Sequence, residues 1–174
     1  MDSISTPYPQ CIQFLVENIK LDPYFTEFLE YAKAVNMPVV VLSSGMEPII
    51  TALLQALVGK ELSKDIEVIA NDASPRPGKT LADQNGWEIA FHDESGFGHD
   101  KSRAIRPYAQ LPAGERPTLF YAGDGVSDLS AARETDLLFA KEGRDLVTYC
   151  IKEGVPFTTF GDWKSITENV KEIV

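Results

Sequence analysis

Cysteine, histidine and positive charge are all scarce in this chain. Its 174 residues include two cysteines and two histidines, with Lys+Arg 16 set against Asp+Glu 26 and a formal net charge of −10. Cys11 and Cys150 lie far apart and in no metal-ligand spacing. That excludes a thiolate zinc site and a disulfide scaffold, and fits two buried thiols in a reducing compartment. The deficit of Lys and Arg excludes a basic stripe, so neither nucleic acid nor an anionic membrane surface is an expected partner. No apolar run reaches membrane length and no basic-then-apolar leader opens the chain, so the cytoplasm is the expected compartment.

What is present reads as an α/β chain of ordinary globular composition, 44% apolar and 24% charged. Met37–Leu42 is a β-branched run suited to a strand buried on both faces. Ile66–Ala70, Thr118–Ala122, Leu137–Ala140 and Phe157–Phe160 are further strand candidates, and Trp87–Phe91 alternates like a strand with one wet face. Helical spacing or cap signals mark 10–20, 23–36, 47–57, 126–133, 144–153 and 163–173. Asp100 opens another helix, which Pro107 should end or kink near Arg106. Residues 1–9 read as an irregular lead-in, and Asn71–Thr80, rich in turn formers, as a surface loop. The alternation of strands and helices predicts a doubly wound α/β domain.

Three strand-to-helix junctions carry the chemistry. Leu42-Ser43-Ser44-Gly45-Met46 sets hydroxyls beside the free N–H groups of a helix start, a cradle for a phosphoryl oxygen. Taken alone, Ser43 or Ser44 reads rather as a plain N-cap. In Gly98-His99-Asp100-Lys101-Ser102, a lysine meets the positive end of a helix dipole, which a bound phosphate would explain. Alone, it reads rather as an exposed lysine behind an Asp100 cap. Gly123-Asp124-Gly125-Val126-Ser127-Asp128 delivers two carboxylates at the end of an apolar strand, the edge at which open α/β sheets bind ligands. Asp124 and Asp128 there suit Mg²⁺, which takes oxygen ligands and brings phosphate. His92 and His99 read as surface or hydrogen-bonding residues, and Trp87, Trp163, Phe157 and Phe160 as packing residues.

In that order the junctions resemble the motifs of haloacid-dehalogenase-like (HAD) hydrolases, most closely the phosphoserine-phosphatase-like branch. The resemblance covers roughly residues 22–174. It implies a three-layer α/β/α Rossmann-like core with a mainly parallel sheet and Mg²⁺-dependent hydrolysis of a small phosphorylated molecule. Ser43, Ser44, Gly45 and Lys101 would bind the phosphoryl group, with Ser43 and Lys101 in catalytic roles and Asp124 and Asp128 at the metal. The family's first motif, D-x-D-x-T/V at the end of an earlier strand, has no counterpart: Asp2-Ser3-Ile4-Ser5-Thr6 has Ile4 at the second aspartate and only Met1 before it. The expectation is therefore a chain that starts inside the family pattern, without the nucleophile strand and most of the cap. Residues 1–20 would be a cap remnant and 21–174 the core. The remaining Asp124, Asp128 and Lys101 carry about −1 of formal charge rather than the family's about −3, so Mg²⁺ should bind weakly. Little turnover is expected, and unpaired inner strand edges would favour a homo-oligomer. The alternative is a non-catalytic phosphate- or protein-binding module.

Overall fold

The computed structural model describes residues 4–96 and 98–174. The Asp2-Ser3 pair of the rejected first-motif mimic lies outside the described residues. The chain is a mixed α/β fold that divides into two compact units, residues 1–21 with 32–99, and residues 22–31 with 100–174. Their hydrogen-bonded strands form two three-stranded sheets.

In the first unit, β1 (Val40–Met46) runs parallel to the first half of β2 (Glu67–Pro75), and the second half of β2 pairs antiparallel with β3 (Trp87–Ala90). The strand expected to stop at Leu42 continues through the Ser-Ser-Gly turn. Ser43 pairs with Ala70 and Met46 with Asn71, so Ser44 and Gly45 bulge out of the ladder. Bulges of this kind bend a strand and re-aim its side chains. β2 likewise continues into the expected loop of residues 71–80 as far as Pro75, because β3 supplies a partner ladder. α1 (Tyr8–Asn18) begins inside the expected irregular lead-in, with Pro7 before it. Tyr8, Met46 and Trp87 form this unit's core, the Tyr8 and Trp87 rings lying 5.2 Å apart and the indole N–H donating to Thr6 O. Cys11 packs at the margin and is half-buried, against the expectation of a buried thiol. α3 (Glu47–Leu57) follows β1 directly, with Pro48 in its first turn where no N–H is needed. A short α4 (Lys60–Ser63) precedes β2.

In the second unit, β4 (Phe120–Gly123), β5 (Leu137–Lys141) and β6 (Thr158–Phe160) are all parallel, with β5 central. Leu138, Ala140, Leu146 and Cys150 are almost wholly buried there, under Ala132 and beside Tyr121 and Phe157. α2 (Phe25–Ala34) contributes Phe25 and Phe28, whose rings meet Trp163 at 4.7 and 4.6 Å. α5 (Ser102–Ala109) runs past Pro107 and ends two residues later, not at Arg106. The helix expected over 126–133 is a 3₁₀ turn, Val126–Asp128, followed by α6 (Leu129–Ala132). α7 (Asp145–Glu153) and α8 (Trp163–Lys171) complete the unit, α8 capped by Asp162, whose carboxylate accepts from Ser165 N–H. Among the described residues no helix is long and apolar enough to cross a membrane.

Candidate active site

Ser43–Gly45 lie at the end of β1 and Asp124 follows β4, whereas Lys101 stands at the start of α5, well past the end of β3, and each unit builds its own set. In the first unit the β1 bulge folds back on itself. Gly45 N–H donates to Ser43 Oγ at 3.0 Å, and both Ser44 and Gly45 are exposed. Two side chains hold the carbonyls of this turn. His99 Nδ1 lies 2.9 Å from Ser43 O, and since a carbonyl only accepts, Nδ1 carries the hydrogen. Asn71 Nδ2 donates to Ser44 O at 2.8 Å, while its Oδ1 accepts from His92 N–H at 2.8 Å. Asn71 is 1% exposed and His99 is also buried, with the exposed His92 ring packed edge-on against it at 4.7 Å. Asn71 therefore opens no surface loop; its amide bridges two backbone segments.

In the second unit, Asp100 caps the start of α5, its Oδ1 accepting from the Ser102 N–H and hydroxyl. Lys101 is 6% exposed, which removes the reading of an exposed lysine behind that cap. Its ammonium is paired with Asp128, itself 4% exposed. Asp128 Oδ1 accepts from Lys101 Nζ and from Tyr121 OH, and Oδ2 accepts from Asp124 N–H and Gly125 N–H, both at 2.9 Å. Burial pushes this carboxyl up, but the Lys101 charge, the Gly125 amide and the Tyr121 hydroxyl outweigh it and leave it below the usual carboxylate range. The same burial, reinforced by the Asp128 charge, raises Tyr121.

The loop glycines have different duties. A Cβ on Gly123 would lie 2.6 Å from Asp128 Cγ, so that carboxylate reaches the loop amides only past a glycine. Gly125 meets nothing closer than 3.9 Å. Asp124 is fixed through its backbone, its N–H on Asp128 and its carbonyl accepting from the Leu146 N–H at 3.0 Å. Its carboxylate is exposed and takes no hydrogen bond among the described residues. Nor, among those residues, do three or more His, Cys, Asp or Glu side chains converge as metal ligands.

Lys101, Asp124 and Asp128 are thus brought together in one unit, and Ser43, Ser44 and Gly45 in the other. Sequence reasoning did not single out Tyr121 or Asn71. Tyr121 is two residues before Gly123 on a strand, hence on the same face, and that was its one signal. Asn71 gave only a polar residue closing an apolar run.

Comparison with known proteins places the chain in a family. The family model for haloacid dehalogenase-like hydrolases matches residues 2–133. A polyol phosphate phosphatase of Saccharomyces cerevisiae is 48% identical over 180 residues, covering 100% of this chain and 72% of its own. Pdp3-interacting factor 1 of Schizosaccharomyces pombe is 45% identical over 173 residues, covering 99% and 73%. The crystal structure of an apo phosphoserine phosphatase superposes with a TM-score of 0.65 at 18% identity, covering 96% of this chain and 76% of that one, a likeness of fold. The matched region and the two relatives above 40% identity make this chain a member of the haloacid dehalogenase-like hydrolases.

Proposed function

We propose that this chain is the phosphate-holding part of a HAD-type phosphomonoester phosphatase. On this reading its residues 1–174 bind a phosphorylated small molecule and turn it over little or not at all. The carrying observation is the buried Lys101–Asp128 pair, whose Asp128 stands on the same loop as the exposed Asp124 carboxylate. Ser43, Ser44 and Gly45 are assigned to the phosphoryl oxygens and Lys101 to charge neutralisation.

HAD phosphatases usually use Mg²⁺. One exposed carboxylate, Asp124, fits an ion that commonly keeps its waters and takes one or two carboxylates beside phosphate oxygens. Asp128 already receives four donors, so its part in the metal environment is to hold the loop that presents Asp124. When bound, the ion would offset charge on the phosphate. Within these 174 residues no D-x-D-x-T/V follows an apolar strand ahead of Ser43, so aspartyl-phosphate chemistry lacks its attacking carboxylate and its proton donor. The test is hydrolysis of a generic aryl phosphate with Mg²⁺. Background-level turnover is expected, and robust turnover abolished by Asp124→Ala would sink the reading.

A second reading is a non-catalytic module that binds a protein or phosphate, favoured by the 45% identity to a relative named for interaction with another protein. Phosphate binding lost on Lys101→Ala without turnover supports a phosphate-binding module; absence of phosphate binding leaves the protein-binding one. The proposal includes association of copies, because β1 and β4 each form one edge of their three-stranded sheets among the described residues.

A further inference from the structure

We propose that Asn71 is a positioning residue for the phosphate-binding hydroxyl of Ser43, acting through a relay of backbone hydrogen bonds; this rests on the phosphate reading above. The relay begins at His92, whose N–H donates to Asn71 Oδ1 at 2.8 Å. Asn71 Nδ2 then donates to Ser44 O at 2.8 Å. The orientation of the amide follows from these partners, since a carbonyl needs a donor and an N–H needs an acceptor. The carbonyl of Ser44 and the N–H of Gly45 belong to one peptide unit, in which they point in opposite directions. Pulling the carbonyl onto Asn71 therefore aims the N–H the other way, onto Ser43 Oγ at 3.0 Å.

With that oxygen already accepting, the Ser43 proton is left to donate outward, the polarity an anion requires. Each bond in such a chain polarises the next, so donation at the Ser44 carbonyl strengthens the Gly45 N–H and, through it, the Ser43 hydroxyl. Asn71 is 1% exposed, which shields the first two links from competing water. Asn71 touches no phosphate itself. Its effect must pass through Ser43, and that dependence separates positioning from general structural support.

The experiment is a cycle of Asn71→Ala and Ser43→Ala, titrated with inorganic phosphate by calorimetry, with the Gly45 amide followed by NMR. Asn71→Ala alone should weaken phosphate about tenfold, the worth of one hydrogen bond to a charged group. In the Ser43→Ala background it should change affinity less than about twofold. Equal losses in both backgrounds, or unchanged affinity in the single variant, overturn the proposal. The Gly45 amide proton should move upfield in Asn71→Ala as its hydrogen bond weakens, and an unmoved resonance also overturns it. If wild-type protein binds no phosphate, the phosphate reading fails, while the Gly45 shift still decides whether the relay exists. Should Asn71→Ala not fold, Asn71→Leu serves. It keeps a similar volume without adding charge, loses the donor to Ser44 O, and should give the same affinity and shift changes.

Discussion

Removing the carboxylate of Asp128 should be among the costliest single changes in the second unit. Truncation to Ala strips the counter-charge from Lys101, which is 6% exposed, and the acceptor from Tyr121 OH and two loop amides. Breaking a buried ion pair from one side costs about 3–5 kcal/mol. Each further donor left buried without an acceptor adds about 1–3 kcal/mol wherever water does not reach it. That sum is comparable with the whole stability of a small domain, about 5–15 kcal/mol, so Asp128→Ala can unfold the chain outright. The decisive measurement is urea unfolding of Asp128→Asn with and without Lys101→Met. Alone, Asp128→Asn should cost about 3 kcal/mol. With the ammonium already gone it should cost about 1 kcal/mol, the remainder being weaker hydrogen bonds to a neutral amide. A cost below about 1 kcal/mol alone, or equal costs in both backgrounds, would refute the buried-pair account. Acid provides a second arm. The folded carboxyl lies below its ordinary range, so its stabilisation is complete above the unfolded value, about 3.9, and is lost as pH falls through the folded one. Wild type should therefore lose stability more steeply below about pH 4 than Asp128→Asn.

Three further outcomes are expected. Gly123→Ala should cost about 1–3 kcal/mol in urea unfolding, because its Cβ would meet Asp128 Cγ at 2.6 Å. Gly125→Ala, with open space to 3.9 Å, should cost less than about 1 kcal/mol, and equal effects would refute the close-approach argument. Leu146→Ala, at a fully buried position in the core, should lower stability by about 2–5 kcal/mol in the same assay. Sedimentation velocity should show concentration-dependent association of the wild-type chain, reduced by Val40→Lys on the outer strand β1, where Val40 is 40% exposed; a monomer at all concentrations would exclude edge association.

Where local signals and tertiary partners agree, the sequence was legible. Glu47–Leu57 was read to its ends because Pro48 fixes the start and apolar residues recur at helical spacing. The parallel strands of the second unit were legible as short apolar runs closed by turn residues. The misreadings share a cause. Asn71-Asp72-Ala73-Ser74-Pro75 has turn composition, yet it is strand because Trp87–Ala90 pairs with it. Pairing with a distant segment overrides local preference there. Asn71 was taken for a loop residue because its two partners, Ser44 O and His92 N–H, lie 27 and 21 residues away. The burial of Lys101 depends on Asp128, also 27 residues distant, and spacing alone does not carry that contact.

The two sets of site residues differ in what remains available for chemistry. Asp128 spends both oxygens on donors of its own chain, and those bonds fix the loop bearing Asp124. Lys101 is already charge-paired, so under the proposed function a phosphate would share its ammonium with Asp128, and the gain in attraction would be smaller than for a free lysine. At the β1 bulge the balance is reversed. Ser43 Oγ already accepts an N–H, which leaves its proton for an incoming oxygen. Neither Ser43, turned to donate, nor Lys101, locked against a carboxylate, is arranged to attack phosphorus, because attack needs an activated lone pair. On the proposed function both side chains are therefore placed to hold a phosphoryl group, and attack on phosphorus falls to a carboxylate.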